Sequence, residues 1–180
     1  AGNAKRKYED LRNGRVGSVL NVRGVEEVRA MQQLVVEESR LGIPLIFASD
    51  IIHGYKTLAP IPLAEAASWD LKAIEASARM AAIEASATGL NWTFAPMMDI
   101  SRDARWGRVM EGGGEDTYLG SKIAVARIRG FQGDDLSADN TILACAKHFA
   151  GYGFAQAGLD YYTADFGTTT LHNVVLPPFR

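Results

Sequence analysis

The sequence has few of the residues that disulfide-bonded, metal-binding and membrane-spanning proteins require. Its 180 residues include one cysteine, Cys145, and three histidines. A single cysteine cannot form an intrachain disulfide, and the apolar run 142–146 around it predicts a small buried side chain. No spacing of His, Cys and Asp resembles a metal site. No run of about 18 apolar residues is present, so the sequence predicts no membrane-spanning helix.

The net charge is also small. Nineteen Lys and Arg stand against 21 Asp and Glu, which gives a formal charge of −2. Nucleic acids and anionic membranes do not attract a nearly neutral protein, so neither is a predicted partner. The glycine run 112–114 is not followed by Lys-Ser or Lys-Thr, which excludes a phosphate-binding P-loop. No cofactor is predicted.

Short apolar runs alternate with helical patterns along the chain. Strands are predicted over residues 17–22, 44–49, 91–95 and 141–146, and helices over 24–41, 68–88 and 118–131, with a last helical pattern from 168 towards the prolines at 177–178. This alternation implies parallel strands joined by helices, which leaves a doubly wound sheet or a (β/α)8 barrel. No Gly-x-Gly-x-x-Gly follows the first strand, and this weakens the dinucleotide-binding form of the doubly wound sheet.

Polar residues stand just beyond the predicted strands. They are Asp50, Asp99 and the pair Lys147-His148. In a barrel the carboxyl ends of the strands converge on one face, which brings residues distant in sequence together. The sequence therefore favours an α/β fold that is a partial (β/α)8 TIM-type barrel, roughly its first half.

Two of the polar side chains between residues 50 and 116 suit a polyhydroxylated ligand. The Asp50 carboxylate only accepts hydrogen bonds and can take two from a vicinal diol, while a helix N-cap is its alternative role. The charged segment 102–116 is typical of a solvated loop. Trp106 argues against full exposure, because an indole there must bury area or stack on a ligand. Within that segment Arg108 is the best ligand candidate, because a guanidinium presents a rigid fork of donors.

Lys147 and His148 are adjacent at the end of the fourth predicted strand. A regular strand would direct their side chains to opposite faces. Both reach one ligand only if the backbone is distorted there, which Gly151 and Gly153 make plausible. The alternative is an ion pair beside a buried, neutral His. Asp50, Arg108, Lys147 and His148 are thus the candidate binding residues.

Four motifs, in order, resemble glycoside hydrolase family 3, and in particular its bacterial β-glucosidases of the periplasmic type. They are IPLIFASDIIHG (43–54), APMMDISRDARWGR (95–108), EGGGEDT (111–117) and KHFAGYG (147–153). The resemblance implies a (β/α)8-like N-terminal domain whose pocket holds the terminal glucose. It implies that Asp50, Arg108, Lys147 and His148 bind the sugar hydroxyls, with strained non-proline peptides near the Lys-His pair.

The implied activity is that of a retaining β-glucosidase. Such an enzyme hydrolyses terminal β-D-glucosyl residues of β-glucosides or oligosaccharides through a covalent glycosyl-enzyme intermediate, without metal or cofactor, in the periplasm or outside the cell. Family xylosidases tend to carry Glu where Asp50 stands, and the shorter Asp leaves room for a hydroxymethyl group. Tyr152 replaces the second His of the N-acetylglucosaminidase branch. The alternatives are a family 3 β-xylosidase, a non-catalytic sugar-binding module and an unrelated (β/α)8 enzyme for phosphorylated substrates.

The resemblance assigns no catalytic residue to this chain. Retaining glycosidases use two carboxyl groups about 5–5.5 Å apart. In the family the nucleophilic Asp lies beyond the position of Arg180, and the acid/base comes from a later domain. Residues 1–180 are therefore expected to be an incomplete N-terminal domain, inactive by itself, that needs the rest of its barrel and a C-terminal domain. The absence of an initiator Met indicates a removed leader or a start inside a longer product.

Overall fold

Three short parallel strands form the sheet of this α/β protein. A computed structural model describes residues 2–22 and 24–180. The strands are β1 (Ser18–Leu20), β2 (Ile46–Ser49) and β3 (Trp92–Thr93), in that order across the sheet. The register pairs Val19 with Phe47 and Ala48 with Trp92. Sequential strands thus lie side by side and parallel, as the alternation of strands and helices predicts.

Helices precede, connect and follow the three strands. They are α1 (Gly2–Arg12), α2 (Val25–Gln33), α3 (Pro62–Ala67), α4 (Leu71–Ser86), α5 (Thr117–Gln132) and α6 (Thr168–Thr170). The π-helical segments Leu34–Glu38 and Leu171–Val175 continue α2 and α6, and 3-10 turns cover Gly107–Glu111, Tyr152–Phe154, Gln156–Gly158 and Pro177–Phe179. The structure confirms the three long predicted helices to within a few residues. Helices α1 and α3 were not predicted.

Helix α4 begins and ends where its sequence signals place it. The Asp70 side chain accepts hydrogen bonds from the backbone N–H groups of Lys72 and Ala73, a cap worth about 1 kcal/mol. Gly89 follows the helix with a positive φ of 87°. Across the contact with α5, a Cβ on Gly130 would lie 2.4 Å from the carbonyl oxygen of Glu75. Only glycine at this position lets the two helices approach so closely.

The main hydrophobic core lies around β2 and the helices that pack against it. From Phe47 to Ser49 the strand is buried, as expected of a parallel strand covered on both faces. The largest cluster of buried apolar residues includes Val28, Val35, Leu45, Phe47, Ala78, Ala82, Phe131 and Ile142. In the part of the chain that the structure describes, no helix is both long and apolar enough to cross a bilayer.

The fourth predicted strand, residues 141–146, is not a continuous strand. It runs parallel to β3 and to the segment beyond it, with two isolated bridges, Trp92–Leu143 and Met97–Lys147. Met97 lies five positions beyond Trp92 but Lys147 lies only four beyond Leu143, so the register shifts by one residue between the bridges. The prediction was wrong about regular pairing, but the segment still places Lys147 beside the β3 side of the sheet.

Candidate functional site

Asp50 lies directly after β2, on a loop whose backbone is held by hydrogen bonds to two buried side chains. The Ile51 N–H donates to Thr93 Oγ1 at 3.2 Å, and Arg127 donates to the carbonyl of Ile52. The Asp50 side chain itself remains 54% exposed. Within residues 2–22 and 24–180 no backbone N–H donates to its carboxylate, so the N-cap alternative has no support. The loop therefore presents Asp50 as an accessible acceptor.

A buried ion pair supports this loop. Arg127 Nη1 lies 2.5 Å from Glu65 Oε2, and the two side chains are 4% and 6% exposed. Glu65 also accepts a hydrogen bond from the Ser77 hydroxyl at 2.6 Å. Burial lowers the pKa of Arg127, and the Glu65 charge opposes that shift. The pair joins α3 to α5 beneath the Asp50 loop.

Lys147 joins Asp50 and Arg108 in one cluster of charges. Its Nζ lies 3.6 Å from Asp50 Oδ1 and 3.4 Å from Glu111 Oε2. Arg108 donates to Glu111 through Nε, at 2.6 Å to Oε1, and through Nη2, at 2.8 Å to Oε2. Two cations and two carboxylates from three chain segments thus meet beyond the carboxyl ends of the strands.

The surroundings of Glu111 keep its carboxylate ionised. Burial acts to raise its pKa, but the Arg108 hydrogen bonds and the Lys147 charge outweigh burial, and the pKa is lowered. The hydrogen bonds to Glu111 raise the pKa of Arg108 in turn. Arg108 uses only two of its nitrogens on Glu111, and Nη1 makes a long 3.5 Å contact with the Tyr152 hydroxyl. Its remaining donors can reach a ligand.

His148 contacts both the Tyr152 ring and the carboxylate of Asp99. Its backbone N–H donates to Asp99 Oδ2 at 2.8 Å, and its Nδ1 lies 2.9 Å from the same oxygen. The Asp99 carboxylate is fully buried and only accepts hydrogen bonds, so Nδ1 carries a proton towards it. The His148 ring meets Tyr152 edge-on at 4.7 Å, and the Arg108 guanidinium lies 5.2 Å from the Tyr152 centroid. Nε2 is the ring nitrogen left for a ligand.

The backbone is irregular at the Lys-His pair, as the sequence analysis expected. The peptide bonds Lys147–His148 and Phe149–Ala150 are cis, and Gly151 has a positive φ of 98°. Lys147 faces Asp50 and Glu111, and His148 faces Asp99 and Tyr152. The structure therefore brings all four candidate residues into one connected cluster.

Sequence reasoning assigned no role to Glu111, Asp99 or Tyr152. The available signal for Glu111 was its spacing of three residues from Arg108, which one helical turn brings together. The neighbouring Trp106 is buried, as predicted, and donates through Nε1 to Asp160 at 2.9 Å. Tyr152 donates to the same Asp160 oxygen at 2.6 Å. Burial raises the pKa of Tyr152 to about 12, with the Asp160 hydrogen bond acting in the same direction.

Open space adjoins two members of the cluster, Asp50 and His148. A cavity of about 250 Å³ is lined by Asp50 and Tyr55, and a depression of about 270 Å³ by His148, Tyr152 and Phe166. A larger groove of about 690 Å³ lies elsewhere, between α4 and α5. Its size does not make it the functional site, because it shares no residue with the charged cluster.

The four motifs lie within a match to a known protein family. The model of the glycosyl hydrolase family 3 N terminal domain matches residues 2–180. The chain belongs to glycosyl hydrolase family 3. Its relatives in the family include a periplasmic beta-glucosidase from Salmonella typhimurium, 42% identical over 172 residues, which are 96% of this chain and 22% of that protein. A beta-xylosidase from Formosa agariphila is 36% identical over 167 residues, 86% of this chain and 23% of that protein.

Solved family 3 structures share the fold. The beta-glucosidase from Listeria innocua in complex with glucose superposes with a TM-score of 0.92 and 42% sequence identity. The match covers 99% of this chain and 25% of that chain. The family resemblance drawn from the four motifs is thus confirmed, and the mixed α/β architecture is that of family 3 β-glucosidases. The chain spans about a quarter of the length of these relatives.

Proposed function

We propose that this chain supplies the sugar-binding part of a retaining β-glucosidase, in which Asp50, Arg108, Lys147 and His148 bind the terminal β-D-glucosyl residue. The observation that carries the proposal is the position of these side chains. They come from positions almost a hundred residues apart, yet contacts through Glu111 and Tyr152 connect them in one cluster beside open space. A family 3 relative has been solved with glucose bound.

The chemistry of the four groups complements a sugar ring. Asp50 offers an exposed acceptor, and the Lys147 ammonium and the free edge of Arg108 offer charged donors. His148 offers Nε2 on a ring whose orientation Asp99 sets. Each sugar hydroxyl can both donate and accept, so a mixture of charged donors and acceptors binds vicinal hydroxyls.

In the proposed architecture, residues 1–180 form about the first half of a (β/α)8 barrel. The parallel strands, the helical connections and the polar residues beyond the strand ends support it. The remainder of the barrel and a C-terminal domain would supply the two catalytic carboxyl groups, about 5–5.5 Å apart, that form and hydrolyse the glycosyl-enzyme intermediate. No metal or cofactor takes part in this proposal.

A glucoside is the proposed substrate in preference to a xyloside. Curated relatives include both a beta-glucosidase and beta-xylosidases, with the higher identity to the beta-glucosidase. The short side chain of Asp50 leaves space for the hydroxymethyl group that distinguishes glucose from xylose. The name of the Salmonella relative supports a periplasmic or secreted location for this protein as well.

Hydrolysis of 4-nitrophenyl β-D-glucopyranoside tests the proposal. The full-length natural protein that carries this chain should release nitrophenol, faster than from the matching xyloside, and the 180-residue polypeptide alone should release none. Turnover by the polypeptide alone would place catalytic carboxylates inside it. Glucose binding by the full-length protein without any turnover would instead favour the sugar-binding module.

A further inference from the structure

Glu111 is the carboxylate that contacts both cations of the cluster. It pairs with Arg108 on its own 3-10 turn, three residues away, and with Lys147 on a segment 36 residues further along the chain. The first contact is local and the second is tertiary. Glu111 therefore fixes the separation of two donors that lie on independently connected segments.

The contacts of Glu111 leave both cations able to bind a ligand. Arg108 keeps Nη1 without a short hydrogen bond, and its side chain is 26% exposed. Lys147 lies between two carboxylates at 3.4 Å and 3.6 Å, distances too long for a strong charge-assisted hydrogen bond. Both oxygens of Glu111 already accept a hydrogen bond from Arg108, and Oε2 also lies 3.4 Å from Lys147 Nζ. Glu111 thus has little capacity left to contact a sugar directly.

We propose that Glu111 is a positioning residue for sugar binding: it holds the Arg108 and Lys147 donors at the spacing that the hydroxyls of one ring require. This inference rests on the proposed function. Without the Glu111 charge the two cations repel each other, and both side chains gain rotamer freedom that sugar binding would have to remove.

The inhibition constant of glucose, measured against aryl β-glucoside hydrolysis by the full-length natural protein, tests this role. Glu111→Gln keeps the side-chain size and removes the charge, and we expect glucose to bind about tenfold more weakly. Glu111→Asp keeps the charge and should recover most of the affinity. Glu115→Gln is the matched control, because this exposed carboxylate lies in the same loop and forms no ion pair with a described residue; its inhibition constant should stay within about twofold of the wild type.

A double-mutant cycle separates positioning from a general structural role. In an Arg108→Met background the Glu111→Gln change should weaken glucose binding by less than about threefold, because its main partner is already gone. Additive losses, or a Glu111→Gln affinity equal to that of wild type, would overturn the inference. If Glu111→Gln fails to fold, Glu111→Met, which also removes the charge, replaces it in the cycle, and additive losses there are equally decisive. A wild-type protein that binds no glucose would instead overturn the proposed function itself.

Discussion

Two arginine–glutamate pairs in this chain share the same chemistry and differ in what they leave free. Arg127 and Glu65 are almost completely buried, and they also bind protein groups, since Arg127 donates to the Ile52 carbonyl and Glu65 accepts from the Ser77 hydroxyl. Arg108 and Glu111 are partly exposed, and their pairing leaves one guanidinium nitrogen and the nearby Lys147 able to bind a ligand.

The pKa values of the two arginines shift in opposite directions, because a different effect dominates at each. Burial dominates at Arg127 and lowers its pKa, whereas the hydrogen bonds to Glu111 dominate at Arg108 and raise it. The buried pair directs Nη1 and Nη2 of Arg127 to protein acceptors and is shielded from solvent, so it can support the backbone but cannot bind a ligand. A half-exposed pair with spare donors can bind a ligand and contributes less to stability. The predictions below test this division.

The largest expected effect follows from breaking the buried pair. Arg127→Met leaves the Glu65 carboxylate buried without its cation, and should lower the free energy of unfolding by about 3–5 kcal/mol. Urea unfolding followed by tryptophan fluorescence measures the loss. The double variant Glu65→Leu/Arg127→Met removes both charges and should recover most of it. A loss below about 1 kcal/mol for Arg127→Met would contradict the role assigned to the pair.

The half-exposed pair should show the reverse pattern. Arg108→Met removes charged donors from the proposed sugar site, and we expect glucose affinity to fall about a hundredfold with little change in the unfolding midpoint. Arg108→Lys should restore little, because an ammonium cannot reproduce the two-point contact with Glu111 and still donate to a sugar. Titration calorimetry gives the affinity. A large stability loss with intact affinity would assign Arg108 to the scaffold instead.

The parts of the fold with local signals were predictable from the sequence. Helix α4 has its cap at Asp70 and its stop at Gly89, and Asp50 and the Lys147-His148 pair each follow an apolar run. The Glu65–Arg127 pair was not predictable, because its members lie 62 residues apart on two helices and only tertiary packing brings them together. Helix α3 escaped prediction because six residues are too few for a clear helical period.

The same limit applies within the candidate site. The sequence placed Asp50, Asp99 and the Lys-His pair beyond strand ends, which suffices when parallel strands share one edge, and Arg108 was the ligand candidate within the charged segment 102–116. The sequence could not reveal that Glu111 lies between Arg108 and Lys147. Segment 102–116 contains several charged residues, and the sequence does not show which of them form tertiary ion pairs. The prediction of a regular fourth strand was wrong because its register against the partner segment shifts by one residue between Leu143 and Lys147.

A smaller effect is expected at the edge of the cluster. Asp50→Glu adds one methylene and should fill the space proposed for the hydroxymethyl group, shifting the ratio of kcat/KM for glucoside over xyloside about tenfold towards the xyloside. Parallel assays with the two 4-nitrophenyl glycosides measure this ratio. Asp50→Asn is the control for size, and it should weaken both substrates without changing their ratio. An unchanged ratio in Asp50→Glu would separate Asp50 from sugar selectivity.

The smallest expected effect is a pH dependence of stability that belongs to the half-exposed pair. Burial opposes ionisation of Glu111, but Arg108 and Lys147 outweigh it, so the pKa in the folded protein lies below the ordinary value of 4.5. A carboxylate with a lowered pKa stabilises the fold above its unfolded pKa, and this contribution disappears as the pH falls through the folded value. The difference in Tm between wild type and Glu111→Gln should therefore stay constant from about pH 7 to 5 and decrease below about 4.5, by less than about 3 °C. Glu115→Gln should show no such change, and a difference that grows on acidification would mean that Glu111 is not held ionised by its two cations.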